Sequence, residues 1–123
     1  ALEVESVIFA REQTARHLSE LYKRVYNLVK EALGSAEEFE LVLREALIVA
    51  SDRVPLLNPF MGFVSVKGGE LALDPALDPS EISEGFLKAL LQAAKIYLSD
   101  EPEVMRAVVN EVKAEAGRLR VAL

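Results

Sequence analysis

Apolar and small residues recur in steps of three and four from Glu3 to Leu33, at Val4, Val7, Ile8, Thr14, Ala15, Leu18, Leu21, Tyr22, Val25, Leu28, Val29 and Ala32. This spacing predicts an amphipathic helix over 3–33, with Arg11 the one break in its stripe. At about 1.5 Å per residue the rod is roughly 45 Å long, enough to run the height of a small bundle and project beyond it. Gly34 supplies the left-handed residue that closes such a helix. Ser35 and Glu38 have the spacing of a capping box, with Glu37 also in the first turn, and open a second helix over 35–53. Phe39, Leu41, Val42, Leu43, Ala46, Leu47, Ile48, Val49 and Ala50 cover most of its circumference, which reads as a buried, central element. Pro55 disfavours helical geometry at Val54 and ends the helix near Arg53.

The pattern then changes period. Phe63 to Asp74 alternates about Gly68-Gly69 and predicts a β-hairpin over 63–74 with a two-residue turn. Lys67 then pairs with Glu70, Val66 with Leu71, Ser65 with Ala72 and Val64 with Leu73. Val64, Val66, Leu71 and Leu73 share one face, and an isolated hairpin needs that face covered by helices or another hairpin. Asp78-Pro79-Ser80-Glu81 joins a capping Asp, a Pro at the first helical position and an early Glu, and opens a helix over 79–99. Asp100 and Glu103, with Pro102 between them, repeat that logic for a last helix over 101–119, after which Arg120 to Leu123 fray. The predicted fold is mainly α, an α+β chain with a helical majority. It is one four-helix bundle-like domain over 1–123, with the hairpin between the second and third helices.

Composition narrows what such a domain does. The 123 residues are 51% hydrophobic and 28% charged, as expected of a folded chain. Fourteen Lys and Arg against 20 Asp and Glu leave a net charge of −6, which disfavours nucleic-acid binding. The chain up to Gly34 holds five basic and five acidic residues, so the whole excess lies in the remainder. Arg11, Arg16, Lys23, Arg24 and Lys30 make the outer side of the first helix semi-basic, read as an ordinary solvated face rather than a docking site for another subunit. The absence of cysteine excludes disulfides, thiol catalysis and Cys-ligated metals. The longest uncharged run, Val54 to Val66, contains two prolines and is too short to span a membrane. No signal-peptide pattern is visible, so a cytoplasmic location is expected. Few Asn and Gln beside many Glu, Ala, Val and Leu suggest a heat-adapted source.

Catalytic and metal-binding chemistry finds little support. His17, the one histidine, lies off the main stripe without the flanking signature of a phosphate-accepting helix and reads as a solvated surface residue. Gln13, His17 and Glu20 share helical spacing, but the carboxylate and Glu-x-x-His pattern of a bundle metal site is missing. No serine sits in a Gly-x-Ser-x-Gly elbow, and Gly68-Gly69 is a turn rather than a phosphate loop. The clusters Glu37-Glu38-Glu40 and Asp100-Glu101-Glu103 coincide with helix N-termini, where the helix dipole accounts for them. The expectation is a non-enzyme with no cofactor and no metal.

Two features point to binding. Leu56, Leu57, Phe60, Met61 and Phe63 put five large apolar side chains in a turn-rich segment, more than a surface connection needs. They either plug one end of the bundle beneath the hairpin or form a pocket or partner patch, to which Tyr22, Tyr26 and Tyr97 could add polar tips. The stripe of the first helix is longer than one small bundle readily covers, and the mean hydropathy is positive at +0.20. Both facts suggest a two-fold homodimer, with Val7, Leu18, Leu21, Val25 and Leu28 as its face. The first functional expectation is a non-catalytic interaction or regulatory module that self-associates and binds a protein partner. The second is a small-molecule sensing domain with an apolar pocket between the helices, lidded by the 56–63 loop.

Overall fold

The computed structural model describes residues 2–123, with side chains from Val4 onward. Four helices, α1 (Leu2–Leu33), α2 (Glu37–Ala50), α3 (Ser83–Tyr97) and α4 (Pro102–Leu119), enclose a hairpin of β1 (Val64–Lys67) and β2 (Glu70–Leu73). The fold is mainly α, with the antiparallel hairpin between α2 and α3. Going round the molecule, α1 packs on α4, α4 on α3 and α3 on α2. The hairpin closes the ring, β1 lying against α2 and β2 along α1. Its register is the one the alternation and the Gly-Gly turn predict, Val64 opposite Leu73 through Lys67 opposite Glu70. Val64, Val66 and Leu71 are buried against the helices, so a two-stranded sheet too small to stand alone is held by the bundle.

The core is one continuous cluster. Leu18, Leu21, Tyr22, Val25 and Val29 of α1 meet Phe39, Leu43 and Leu47 of α2, Phe86, Leu87 and Leu90 of α3, and Val108 and Val112 of α4, all without exposed surface. Tyr22 packs edge-on against both Tyr26 and Phe86, ring centroids 6.2 Å apart in each pair.

Several boundaries differ from the sequence expectation, each for a local reason. α2 begins at Glu37 with Ala36 at its N-cap, and no side chain caps it. Ser35 Oγ accepts only the Glu37 N–H, at 3.3 Å, while Glu38 turns away to accept the Tyr97 hydroxyl, so the capping box does not form. Nor is α2 buried all round. Leu41, Ile48 and Val49 are exposed because α2 packs on α3 and β1 through one face and turns these positions outward. Asp78 caps as expected, accepting the Ser80 N–H at 3.1 Å, but the turn it opens, Pro79–Glu81, is 3₁₀. Ile82, at φ −112°, breaks the run, and α3 starts at Ser83. α4 likewise has Glu101 at its N-cap and no side-chain cap from Asp100. At its other end the chain does not simply fray. Arg120 is left-handed (φ 57°), and Val121 N–H returns to the Ala116 carbonyl at 2.8 Å in a Schellman closure.

Candidate functional site

Two buried carboxylates draw attention first. Glu40 sits one turn before Leu43 on the inner face of α2, where it is 5% exposed. Its Oε1 accepts the Gly68 N–H at 2.8 Å and the Arg44 guanidinium at 3.2 Å. Its Oε2 accepts the Gly69 N–H at 3.0 Å and the Tyr22 hydroxyl at 2.6 Å. Arg44 also donates to the Val66 carbonyl at 2.8 Å. One carboxylate therefore joins α1, α2 and the hairpin turn, with every lone-pair direction occupied by protein. Burial, and then the hydrogen bond to Glu40, push the Tyr22 phenol well above its ordinary pKa. This cluster ties three elements together, and an open depression of about 350 Å³ lies beside it, lined by Tyr26, Glu37, Arg44 and Lys67. The helix dipole was reason enough for Glu40 in the sequence; its phase with Leu43 and Leu47 was the available sign of burial.

Glu115 of α4 is buried at 1% exposure, its Oε2 accepting from Arg118 at 2.8 Å. Its Oε1 has no hydrogen-bond partner and lies 3.6 Å from His17 Nδ1. His17 is thus partly covered at the α1–α4 seam rather than fully solvated. Arg24 and Glu111, 3.1 Å apart, cross the same seam further along α1. Among the described residues no group of three or more His, Asp or Glu side chains is arranged to hold a metal ion.

The 56–63 segment divides in two. Leu57 is fully buried, packed so closely on α3 that a Cβ at Gly85 would lie 2.5 Å from Leu57 Cδ1. Leu56 and Phe63 are half-buried beside it. Phe60 and Met61 project instead, 87% and 51% exposed, on a 3₁₀ turn fixed by Asn58, whose Oδ1 accepts the Phe60 N–H at 3.0 Å. The segment is therefore anchored by one leucine and presents an aromatic and a thioether outward. The tyrosines serve elsewhere: Tyr22 and Tyr26 against the core and hairpin turn, and Tyr97 against Phe39 and Glu38.

The proposed dimer face requires correction. Of the expected face Val7 is exposed, whereas Leu18, Leu21 and Val25 have no exposed surface within the single chain and Leu28 is partly buried on the core, so these four are intramolecular. The stripe continues beyond them, however. Every residue from Val4 to Glu12 is exposed, and Val4 (61%), Val7 (50%), Ile8 (50%) and Phe9 (62%) are bare. The outer part of this N-terminal arm of α1 extends past the rest of the bundle, while its inner part, from Ile8 to Glu12, borders the 73–79 connection. At its base, α1 and the 73–79 connection enclose a shallow notch of about 210 Å³, lined by Ile8, Ala15, Leu73 and Leu77 and bordered by Arg11. Arg11, Glu12 and Asp74 form its polar rim, and Arg11 also lies 3.7 Å from Asp78. A second depression of similar size lies between Val49 of α2 and Ile96 of α3.

Among the described residues no helix is long and apolar enough to cross a membrane. Compared with protein-family models, curated proteins and solved structures, the chain matches none.

Proposed function

We propose that this chain is a non-catalytic interaction module that self-associates through the arm of α1 and presents Phe60 and Met61 to a protein partner. The observation that carries the reading is the arm itself: Val4, Val7 and Ile8 share one side of a helix whose every residue from Val4 up to Glu12 is exposed. A helix end of this length gains little from propensity alone and is stabilised chiefly by packing its apolar side. Contiguous exposed apolar surface of this kind marks an interaction site. Phe60 and Met61 add a second patch suited to an adaptable contact. The regulatory role follows from having two separate surfaces on one rigid body, where engagement of one copy brings two partner sites together.

The alternative, a small-molecule sensor lidded by the 56–63 loop, has less in its favour. Leu57 fills the space beneath that loop, and the depressions in the surface are open and lie elsewhere. Sedimentation velocity over a range of concentrations tests the first reading. The natural sequence is expected to move from monomer to dimer as concentration rises, and Ile8→Glu to remain monomeric with an unchanged circular-dichroism spectrum. A natural chain that stays monomeric throughout would overturn it.

A further inference from the structure

We infer that the seam between α1 and α4 ends in a docking groove for a basic side chain of a partner protein, a lysine or arginine whose charge lies between Glu31 and Glu103. The groove is separate from the arm of α1 and from Phe60, so it stands or falls without them.

The two helices run antiparallel, and charge is matched along their seam at two levels. His17 Nδ1 of α1 lies 3.6 Å from the Glu115 carboxylate of α4, and further along Arg24 pairs with Glu111 at 3.1 Å. Glu31 follows at the same step of seven, close to two helical turns, so it lies on the side of α1 that carries His17 and Arg24. Here the matching fails. Opposite Glu31, α4 again offers an acid, Glu103, and the two residues line one open depression of about 360 Å³. Both are exposed, and among the described residues neither has an ion-pair partner. No basic residue lines the depression. Lys30 and Arg106 are turned away from their lining neighbours, Glu31 and Ala107, by a helical step of roughly 100° each. Arg24 is already committed to Glu111.

Local structure accounts for only one of the two acids. Glu103 stands in the first turn of α4, where the helix dipole favours it. Glu31 stands in the last turn of α1, where the same effect opposes a negative charge, and it shares the depression with a second one. The uncompensated charge is therefore not a by-product of capping, and a cation from outside the chain completes the third level of the seam.

The floor says what kind of cation fits. Leu28, Ala32, Val104 and Ala107 form it, Leu28 and Val104 being partly buried on the core. A hydrated metal ion gains nothing from such a floor. Lysine and arginine lay an aliphatic stem along apolar surface and keep the charged head at its edge, which is the arrangement the two carboxylates and the floor present.

The probe is an end-blocked peptide of four alanines around one arginine, titrated into the isotope-labelled chain and followed by NMR. The same peptide with citrulline, which keeps the shape and lacks the charge, is titrated beside it. Saturable shifts of the Ala32, Val104 and Ala107 amides are expected with the arginine peptide alone. Glu31→Gln combined with Glu103→Gln should weaken binding several-fold, as for the loss of two exposed ion pairs. Glu45→Gln combined with Glu81→Gln, an equal change of net charge elsewhere, should leave it unaltered. Glu31→Arg should abolish binding and melt at a higher temperature than Glu31→Gln, because it supplies the missing cation from within the chain. The inference is overturned if the arginine peptide shifts none of these amides or if the citrulline peptide binds as well. It is overturned equally if the two double variants weaken binding alike, which means attraction to net charge alone, or if Glu31→Arg melts no higher than Glu31→Gln.

Discussion

The Tyr22 hydroxyl rests on a carboxylate in a place with no water to share the charge, and that has a consequence at high pH. Ionising the phenol would set a second anion against Glu40, so burial and this hydrogen bond hold its folded pKa above the ordinary 10.0. The sign follows from linkage. Because the folded value is raised, the stability tied to Tyr22 is complete below 10.0 and is lost as pH rises above it. Urea unfolding at about pH 8 and about pH 11 should show the natural chain losing stability more steeply than Tyr22→Phe. Tyr97, also raised by burial and its bond to Glu38, is present in both proteins and cancels. An equal fall in the two would dismiss the assignment. Arg120 offers a second test at this scale. It is the one non-glycine residue with positive φ among those described, and it closes α4 at a position where glycine adopts the same geometry without Cβ strain. Arg120→Gly should raise stability by about 0.5–1 kcal/mol in the same assay, the relief of strain outweighing the added freedom of the unfolded chain. Single residues were the least legible part of the sequence. Glu40 and Glu115 sit among other acidic residues that helix dipoles and solvation explain equally well, and only the folded chain brings Gly68 and Gly69 to Glu40 and His17 to Glu115.

Elements were legible where local chemistry decides them. The hairpin register could be read because a two-residue turn with positive φ at both positions, 60° at Gly68 and 86° at Gly69, leaves one pairing compatible with the alternation. The two glycines nevertheless differ in what they face. A Cβ on Gly68 meets nothing within 4 Å, whereas one on Gly69 lies 2.7 Å from Tyr26 Cδ1. Gly68→Asn should therefore be neutral or slightly stabilising, and Gly69→Ala should cost more than about 1 kcal/mol in thermal unfolding. If both substitutions behave alike, the close approach of Tyr26 is not what fixes the turn. Caps and faces were less legible for different reasons. Ser35 and Glu38 have the right spacing, but Tyr97 competes for the Glu38 carboxylate and comes from a distant element. α2 is apolar nearly all round, yet it packs on α3 and β1 through one face only, and no window of sequence shows which face that is. Asp78 is the cap that was legible, and its carboxyl is held below the ordinary value by the Ser80 hydroxyl and N–H. Its contribution is thus present above 3.8 and lost as pH falls through the lower folded value. Asp78→Ala should cost about 1 kcal/mol near neutrality, with the difference from the natural chain closing in acid.

At the scale of the whole molecule, the sequence held a true quantity with the wrong address. A stripe too long for one bundle and a positive mean hydropathy of +0.20 do correspond to exposed apolar surface, but of the expected face only Val7 lies on it, the surface running over Val4 to Phe9 rather than on to Leu18 and Leu28. Periodicity tells that a stripe exists; the lengths of the other elements tell which part of it they cover. A charge at Leu21, which has no exposed surface, would unfold the body rather than divide a dimer, whereas Ile8→Glu acts on the arm alone. The distinction can be seen in melting curves. When folded subunits associate and unfolded ones do not, mass action makes the melting temperature depend on protein concentration. A hundredfold rise in concentration above the dissociation constant adds about 2.7 kcal/mol per dimer, hence about 1.4 kcal/mol per subunit. For a domain of this size that corresponds to roughly 5 °C. The natural chain should show this upward drift, and Ile8→Glu should melt at one temperature throughout, equal to that of the natural chain at its most dilute. A lower melting point for Ile8→Glu at high dilution would mean that the arm supports the bundle within a single chain, and a drift that persists in Ile8→Glu would place the association on another surface, the exposed side of α2 being the next to substitute.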